Sequence, residues 1–516
     1  MSFLSGYKMN ITPLVRPYFL HKAASVRSWR GRIRQVQLEQ LQWLLSRGAS
    51  TRWGREHGLG PMSGRVIEHA YDDLRRAVPS VQSYPDIRDL VMRMVDGEPD
   101  VLWPGVTRRF AQSSGTSDGK SKYIPITRDS LRVNHYEGGT QAVAQYLSLY
   151  PDSRLFSGKG FILGGSYANE LTLHPGVKVG DLSATLIDCI NPLANLVRVP
   201  SKKLALMPDW EEKLPLLIES SMRRDVTNIS GVPSWFLTVL KGVMKRAGAG
   251  CIHDVWPHLE VFFHGGISMA PYREQYARIT RPGMRYLESY NASEGFFAVQ
   301  DTIDSPGMLL LLGNGVFYEF VPLSDIDSDR PALFPSWEVE QGEVYSIVIT
   351  ACNGLWRYTP GDTVRIESVD PLRITIAGRT KCFINAFGEE LMVENAEAAM
   401  TRVCRDMDCS VVNYTAAPVY ASDNSRGRHE WLIEFDREPS SLDAFAAALD
   451  SALQELNSDY QAKRAHGIFL DPLTVVKGRP GIFNDWLAST GKLGGQRKVP
   501  RLSNTRTPID DILRLN

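Results

Sequence analysis

Cysteine is scarce in this chain and lacks the spacing of a metal site or a disulfide framework. The six cysteines among 516 residues include no Cys-x-x-Cys pair and follow no regular interval. Zinc sites and small secreted domains both depend on such spacing. We therefore expect reduced thiols, and we exclude a zinc-binding or disulfide-stabilised scaffold as the basis of the fold.

Long hydrophobic runs and a dominant sign of charge are also lacking. Residues 1–22 contain no continuous apolar core of signal-peptide length, and no later run approaches the roughly 20 apolar residues of a membrane span. Lys+Arg and Asp+Glu each number 58 and are interspersed, whereas nucleic-acid binders concentrate basic residues. We therefore expect a cytoplasmic monomer that acts on small molecules, with no nucleic-acid or membrane partner.

The first three quarters of the chain read as one large α/β domain. Leu38, Leu41 and Leu45 recur at spacings of three and four, which predicts a helix over residues 29–47. From about residue 101, apolar runs of strand length alternate with helical stretches, a pattern typical of an α/β fold with mixed sheets. These runs include GFILGGS (160–166), LEVFFHGG (259–266), MRYLESY (284–290) and EVYSIVIT (343–350).

A smaller domain is indicated near the C-terminus. Residues 409–420 and 430–436 have the composition of strands, and residues 441–460 read as one helix. We therefore predict an N-terminal domain of residues 1–378 and an α+β C-terminal domain of residues 379–516, which is within the usual size range.

The run FAQSSGTSDGKSKYIPIT, residues 110–127, concentrates hydroxyls, glycines and lysines between apolar residues. Glycines let backbone N–H groups converge on phosphates, while hydroxyls and a lysine add donors and positive charge. The Walker pattern requires four residues between its glycines, and Gly115 and Gly119 are separated by three, which excludes a P-loop. A phosphate-binding loop and a flexible polar hairpin loop both remain open. The candidate phosphate contacts are Ser113, Ser114, Gly115, Thr116, Ser117 and a lysine.

A second candidate lies in YLESYNASEGFFAVQ, residues 286–300, where two strand-like runs flank a turn. Glu294 in that turn could ligate Mg²⁺, and Ser293 could donate to a phosphate oxygen. Tyr290 offers a flat face to a nucleotide base. The alternative is that Glu294 is a solvated turn carboxylate.

A third candidate follows two turn signals, Asn353-Gly354 and Pro360-Gly361, which place Asp362 in a tight loop between strands. An aspartate held there could accept both hydroxyls of a ribose, as acidic residues do in other nucleotide sites. It could equally cap the turn and have no ligand.

A fourth candidate is Gly265 and Gly266, which end a predicted strand where the backbone could approach a flat base. Paired glycines also suit an ordinary turn. We expect the neighbouring His264 to be a packed, hydrogen-bonded residue rather than a catalyst, because no triad or metal-ligand spacing involves it.

In this order, the elements resemble the adenylate-forming (firefly luciferase-like) enzymes, and more closely the bacterial type of the Gretchen Hagen family of acyl acid amido synthetases, which includes the auxin-responsive proteins of plants. The family loop Ser-Ser-Gly-Thr-Ser/Thr-x-Gly-x-x-Lys matches residues 113–122 and gives the lysine position to Lys122. The family motif Tyr-x-x-Ser-Glu matches residues 290–294. The motif WRYTPGD is longer than the family's Tyr-Arg-x-Gly-Asp-like motif, so Asp362 is matched and the role of Arg357 stays open.

The resemblance implies a two-step reaction. A carboxylate attacks the α-phosphate of ATP to give an acyl-adenylate and pyrophosphate, and an amine or amino acid then displaces AMP. Residues 378–397 resemble the family's hinge, at the start of a mobile C-terminal domain, and residues 491–502 resemble its closing lysine segment. The resemblance implies that the loop with Lys122 binds the β- and γ-phosphates, that Ser293 contacts the α-phosphate and that Glu294 binds Mg²⁺. It also implies that Asp362 binds the ribose, and that Gly265, Gly266 and Tyr290 contact the adenine. In the C-terminal part, it implies a pivot at Arg379 and a lysine that closes over the nucleotide, which is Lys498, with Lys492 as the next candidate.

The acyl acid and the amine cannot be identified from these motifs. Asn134 and Tyr136, which follow the phosphate loop, are the candidates for the acid pocket. Two alternatives remain, an acyl-CoA or carrier-protein ligase and a nucleotide-binding regulatory protein without catalysis. Four glutamates follow Arg379 and Lys381, at 389, 390, 394 and 397, which argues against a cationic cluster for the phosphates of CoA.

Overall fold

A computed structural model describes residues 10–60, 66–113, 122–167, 171, 173–267, 269, 272–303, 305, 307–326, 328, 330–379, 383–421, 426–465, 470–489 and 499–516. The chain divides into two compact units, of which the first ends at Thr380 and the second takes in Lys381–Asn516. Within the described ranges, no helix is both long enough and apolar enough to cross a membrane.

The first unit is built on a large mixed sheet and a small second sheet. Its strands are β1 (Arg109–Ser113), β2 (Lys122–Pro125), β3 (Lys159–Ile162), β4 (Lys178–Gly180), β5 (Arg198–Val199), β6 (Val226–Gly231), β7 (Val261–Gly265), β8 (Arg285–Ala292), β9 (Gly295–Gln300), β10 (Met308–Leu310), β11 (Val316–Pro322), β12 (Phe334–Pro335), β13 (Val344–Ala351), β14 (Leu355–Tyr358), β15 (Asp362–Val369) and β16 (Leu372–Arg379).

In the large sheet, the described strands follow the order β12-β11-β13-β15-β16-β10-β9-β8-β7-β6-β3-β5, with β14 on β13; the small sheet has the order β2-β1-β4. Neighbouring strands pair in parallel from β5 to β8 and antiparallel from β8 to β12. The sheet therefore changes from parallel to antiparallel pairing at β8, the strand that leads into the turn with Glu294. The four apolar runs predicted as strands lie in β3, β7, β8 and β13.

The helices of the first unit pack against the strands and against one another. They are α1 (Thr12–Arg27), α2 (Ile33–Gly48), α3 (Arg52–Glu56), α4 (Ala70–Ala77), α5 (Tyr84–Val95), α6 (Tyr136–Leu149), α7 (Leu182–Cys189), α8 (Lys202–Ala205), α9 (Trp210–Met222), α10 (Pro233–Ala247) and α11 (Arg273–Ile279). The helix predicted over residues 29–47 is α2, and its leucines at 38, 41 and 45 are buried as their spacing predicted.

Helix α6 follows a π-helical turn, Ser130–His135, and lies tightly against β9. A Cβ atom added at Gly138 would come within 2.3 Å of the Phe296 ring, so only glycine allows this approach. The close packing brings the residues just before α6 to the turn between β8 and β9.

The second unit has an α+β fold with its own buried core. Its elements are β17 (Phe383–Ile384), β18 (Leu391–Met392), α12 (Val393–Asp406), β19 (Ser410–Val419), β20 (Arg428–Arg437), α13 (Leu442–Leu456), α14 (Ser458–Arg464), β21 (Thr474–Gly478), α15 (Ile482–Ser489) and α16 (Thr507–Leu513). Strands β19, β20 and β21 form one sheet, and β17 pairs with β18. The strands predicted at 409–420 and 430–436 are β19 and β20.

The prediction of one helix over residues 441–460 is wrong, because the helix breaks at Asn457. That residue has an extended backbone, with φ −142° and ψ 108°. Its side-chain oxygen accepts a hydrogen bond of 2.7 Å from the backbone N–H of Tyr460, and its amide nitrogen donates to the carbonyl of Glu390 at 3.1 Å. A short amide side chain that bonds the backbone locally competes with helix continuation, so two helices form.

Candidate active site

The predicted phosphate loop is the connection between two antiparallel strands. Ser113 at the end of β1 lies opposite Lys122 at the start of β2. The residues between them, which include Ser114, Gly115, Thr116 and Ser117, lie outside the described residues, as do Lys492 and Lys498. The side chain of Lys122 is half-buried and forms no hydrogen bond or ion pair with any residue in the described ranges.

Tyr290 and Asp362 meet across the large sheet. The Tyr290 hydroxyl donates a hydrogen bond of 2.5 Å to Asp362 Oδ2, although the two strands are separated in the sheet by β9, β10 and β16. Both side chains are buried, at 5% and 7% exposure. The backbone of Arg379 pairs with Asp362 across β15 and β16. The structure thus brings together three positions that the motifs assign to nucleotide binding.

The turn between β8 and β9 is fixed by buried amide side chains. The Asn353 amide nitrogen donates to the backbone carbonyl of Glu294 at 3.0 Å. The side-chain oxygen of Asn134 accepts a 2.6 Å hydrogen bond from the N–H of Phe296, and its nitrogen donates to the carbonyls of Phe296 and Asn314. The position of the Glu294 backbone is therefore determined by residues far away in the sequence.

The structure also shows how the two candidates for the acid pocket are held. The Asn134 amide is engaged by backbone groups, as just described. The Tyr136 hydroxyl donates to the carbonyl of Leu186 at 3.0 Å and is half-buried. A contact of either side chain with an acyl acid stays a prediction.

Both glycines at the end of β7 occupy positions that favour glycine. A Cβ atom at Gly265 would lie 2.3 Å from the backbone oxygen of Ser289 on the adjacent strand. Gly266 has a φ of +83°, in the left-handed region that other residues rarely adopt. The chain therefore leaves β7 through an exposed backbone turn, which is compatible with the adenine contact predicted there.

The surroundings of Glu294 fit a magnesium ion that is also bound by substrate phosphates better than they fit a metal ion coordinated only by protein side chains. No cluster of three or more His, Cys, Asp or Glu side chains that could hold a metal occurs among the described residues. Mg²⁺ commonly binds through one or two carboxylates together with substrate phosphates and waters. A single carboxylate at 8% exposure, in a turn fixed by hydrogen bonds, fits that kind of coordination.

Sequence reasoning missed His135, which lies between the two predicted acid-pocket residues. Its side chain is buried, and no hydrogen bond of ordinary geometry reaches either ring nitrogen from the described residues. Burial lowers the pKa of His135 to about 4, and the nearby side chain of Asn291 opposes this shift in part. A π-helical turn is often associated with function, but its presence could not be recognised in the sequence.

The structure also accounts for Arg357, whose role the motif left open. The residue has a φ of +46°, and its guanidinium donates to the Glu319 carboxylate at 2.9 and 2.5 Å and to the carbonyl of Val78 at 2.8 Å. Both members of the ion pair are almost completely buried. Arg357 therefore joins β14 to β11 and to the segment after α4 within the core.

Comparison with solved structures shows which class of enzymes shares the fold of this protein. The structure of AtGH3.15 acyl acid amido synthetase in complex with 2,4-DB is 18% identical in sequence, with a TM-score of 0.60 over 96% of this chain and 95% of that one. The structure of 2-hydroxyisobutyryl-CoA ligase in complex with 2-HIB-AMP and CoA in the thioesterification state is 13% identical, with a TM-score of 0.54 over 93% and 91%. The protein therefore has the fold of the adenylate-forming enzymes.

The chain belongs to the GH3 family, the Gretchen Hagen family that its motifs predicted. Residues 24–282 match the GH3 family N-terminal domain, residues 309–379 the central domain and residues 394–507 the C-terminal domain. Jasmonoyl--L-amino acid synthetase JAR4 of Nicotiana attenuata is 22% identical over an alignment of 536 residues, gaps included, that covers 90% of each chain. Assignment to a bacterial type within the family stays a prediction.

Proposed function

We propose that the protein is an ATP-dependent acyl acid amido synthetase. It activates a carboxylic acid as the acyl-adenylate and then transfers the acyl group to an amine or amino acid. The observation that carries this proposal is the match to all three GH3 domains in order along the chain. The relative named above is a synthetase that joins an acid to an amino acid, and it aligns over nine tenths of both chains.

The nucleotide site proposed here lies around β8 and β15. Asp362 binds the ribose hydroxyls, and its hydrogen bond from Tyr290 fixes the carboxylate and the aromatic ring relative to each other. Gly265 and Gly266 allow the backbone to approach the adenine. These contacts hold the base and sugar on the sheet, so that the phosphates extend toward the turn with Glu294.

The first step transfers the adenylyl group to the acid. A carboxylate oxygen attacks the α-phosphorus and pyrophosphate leaves, so negative charge must be stabilised at both ends of the reacting bond. Lys122 and the loop from Ser113 to Ser117 bind the β- and γ-phosphates, and Ser293 donates to the α-phosphate. When bound at Glu294, Mg²⁺ supplies charge neutralisation for the phosphates.

The second step requires an uncharged amine to reach the acyl carbon while water is kept out, because acyl-adenylates hydrolyse when exposed. We propose that the C-terminal domain, residues 379–516, moves between the two steps. Arg379 provides the pivot and Lys498 approaches the nucleotide on closure, with Lys492 as the alternative. We also propose that the enzyme is a cytoplasmic monomer without nucleic-acid or membrane partners.

An acyl-CoA ligase is the alternative within the same fold, since a CoA ligase shares it with a TM-score of 0.54. The second step would then need a thiol and cations near the phosphates of CoA. The hinge region instead continues into four glutamates within nine residues. This charge pattern favours an amine as the acceptor.

Pyrophosphate exchange tests the proposed function. With ATP, Mg²⁺ and a broad panel of carboxylic acids, labelled pyrophosphate is expected to enter ATP only when a suitable acid is present. Tight ATP binding with no exchange for any acid would instead favour the nucleotide-binding regulatory protein.

A further inference from the structure

Two polar side chains lie next to each other on an otherwise largely apolar face of the large sheet. His264 on β7 pairs in parallel register with Glu288 on β8, so both side chains project from the same face. The side chain of Gln300 on β9 bonds the N–H of Glu288 at 3.2 Å and the carbonyl of Thr302 at 3.0 Å. Gln300 is therefore occupied by backbone groups, while His264 and Glu288 remain as a polar pair.

The polar pair lies next to the proposed nucleotide site, because Glu288 precedes Tyr290 by two residues on β8. Residues two apart in a strand share a face and are separated by about 7 Å, so Glu288 lies between Tyr286 and Tyr290 on the same face. On one side is the bond from Tyr290 to Asp362. On the other side is an aromatic cluster, in which the Tyr276 ring stacks on Phe262 at 5.3 Å and meets Tyr286 edge-on at 6.1 Å.

Among the described residues, neither Nδ1 of His264 nor the Glu288 carboxylate has a hydrogen-bond partner. His264 is packed, at 4% exposure, and its buried Nδ1 has no hydrogen-bond partner among the described residues. The Glu288 carboxylate forms no hydrogen bond or ion pair with the described part of the chain. Burial of a polar atom without a partner costs free energy, so the buried Nδ1 of His264, next to the half-buried carboxylate of Glu288, would be stabilised by a polar atom of a ligand.

The electrostatics of the pair restrict the chemistry of that ligand. Burial raises the pKa of Glu288 and lowers that of His264 to about 4, so His264 is neutral near pH 7. Arg273 at the start of α11 acts on both groups, which disfavours a cationic substituent. Glu288 disfavours a second carboxylate. An uncharged hydroxyl can donate to one member of the pair and accept from the other.

We propose that His264 and Glu288 bind a hydroxyl group on the acyl acid, remote from its reacting carboxylate, so that the preferred substrates are hydroxylated acids. This inference rests on the proposed function and specifies its substrate class. An acid without the hydroxyl would bury both side chains unpaired, which is the situation in which enzymes discriminate most strongly.

The test on the unmodified enzyme uses matched acids that differ by one hydroxyl. Pyrophosphate exchange is measured with phenylacetate and 4-hydroxyphenylacetate, with benzoate and 4-hydroxybenzoate, and with decanoate and 10-hydroxydecanoate. We expect kcat/KM to favour the hydroxylated member by at least about tenfold in the pair that the enzyme uses best. Equal values within every pair overturn the inference and leave the proposed function intact. Absence of exchange with the three hydroxylated acids, when other acids of the broad panel support exchange, also overturns the inference, whereas absence of exchange with every acid of that panel overturns the proposed function.

Variants then assign the preference to the pair. Glu288→Met and His264→Phe are each expected to reduce the preference for the hydroxylated acid by about tenfold or more, mainly through KM. Glu367→Met is the matched control, because this glutamate is also half-buried in the large sheet but bonds Thr375, on β16. The control is expected to keep the wild-type preference. A preference unchanged in both Glu288→Met and His264→Phe overturns the assignment, and the wild-type comparison remains informative if a variant fails to fold.

Discussion

The Tyr290 hydroxyl and the Asp362 carboxylate are joined by a buried hydrogen bond of 2.5 Å between residues 72 positions apart. The bond links the strand that leads to Glu294 with the strand that pairs with Arg379. This hydrogen bond fixes the orientation of the Asp362 carboxylate, and a fixed orientation is needed for the carboxylate to accept hydrogen bonds from the ribose hydroxyls. The relationship therefore connects the stability of the sheet to the geometry of the proposed nucleotide site.

Removal of this hydrogen bond is expected to affect both stability and ATP binding. Tyr290→Phe leaves Asp362 with one donor fewer, so we expect a loss of about 1–3 kcal/mol in the free energy of unfolding and a severalfold higher KM for ATP. Urea unfolding and exchange kinetics measure the two effects. Tyr286→Phe, on the same strand and face, loses only a 3.5 Å contact with Thr280 and serves as the control. Equal effects of the two substitutions would contradict the role given to Tyr290.

The proposed magnesium site predicts a specific defect for Glu294→Gln. The substitution preserves the size of the side chain but removes the charge, so the Mg²⁺ concentration for half-maximal exchange is expected to rise about tenfold or more, with kcat reduced. Chelation of Mg²⁺ is expected to abolish exchange in the wild type. Glu56→Gln, at an exposed ion pair with Arg52, is the control and should match the wild type. A magnesium dependence unchanged in Glu294→Gln would place the ion elsewhere.

The buried pair of Arg357 and Glu319 is predicted to be structural. Arg357→Met leaves a buried carboxylate without its guanidinium, so we expect a loss of about 3–5 kcal/mol in the free energy of unfolding. The exposed pair of Arg402 and Glu455 provides the comparison, since solvent screens this pair and Arg402→Met should leave the free energy of unfolding close to that of the wild type. The folded fraction of Arg357→Met is expected to keep the wild-type KM for ATP. A large increase in that KM, with stability unchanged, would show that Arg357 contacts the nucleotide.

His135 predicts how stability depends on pH. Its pKa is about 4 in the folded protein and near 6.5 when unfolded, so the unfolded state binds the proton first as the pH falls. Stability from this residue is fully present above about pH 6.5 and is lost progressively toward pH 4, by an amount of the order of 3 kcal/mol.

Urea unfolding between pH 7 and pH 4.5 checks this expectation. His135→Phe keeps an apolar ring in the site and is expected to reduce the loss of stability at low pH. His174→Gln, at an exposed histidine, is expected to follow the wild-type curve. An identical curve for His135→Phe would show that His135 does not titrate in this range.

Local patterns were sufficient to predict the elements, since periodicity depends on neighbouring residues. The leucines of α2, the strand runs around His264 and Tyr290, and the hairpin at Asn353-Gly354 all follow from spacing and turn chemistry. The order of four motifs was sufficient to predict the family. The break at Asn457 was not predicted, because it depends on hydrogen bonds to the distant Glu390.

The contacts within the site could not be predicted, because they depend on the order of strands in the sheet. Nothing in the spacing of Tyr290 and Asp362 indicates that their side chains meet across three intervening strands. Similarly, Asn134 was recognised as a polar residue near a loop, but its bonds to Phe296 and Asn314 require α6 to lie against β9. The unpaired Nδ1 of His264 is likewise a property of the folded sheet.

The identity of the acyl acceptor tests the central claim most directly. Two reactions share one competent acid, ATP and Mg²⁺; one contains a pool of amino acids and simple amines, and the other contains CoA. Mass spectrometry of the products is expected to show an amide that forms faster than any CoA thioester, because the hinge region continues into four glutamates rather than into cations that could bind the phosphates of CoA. A thioester as the dominant product, with no amide, would contradict the assignment to an amido synthetase.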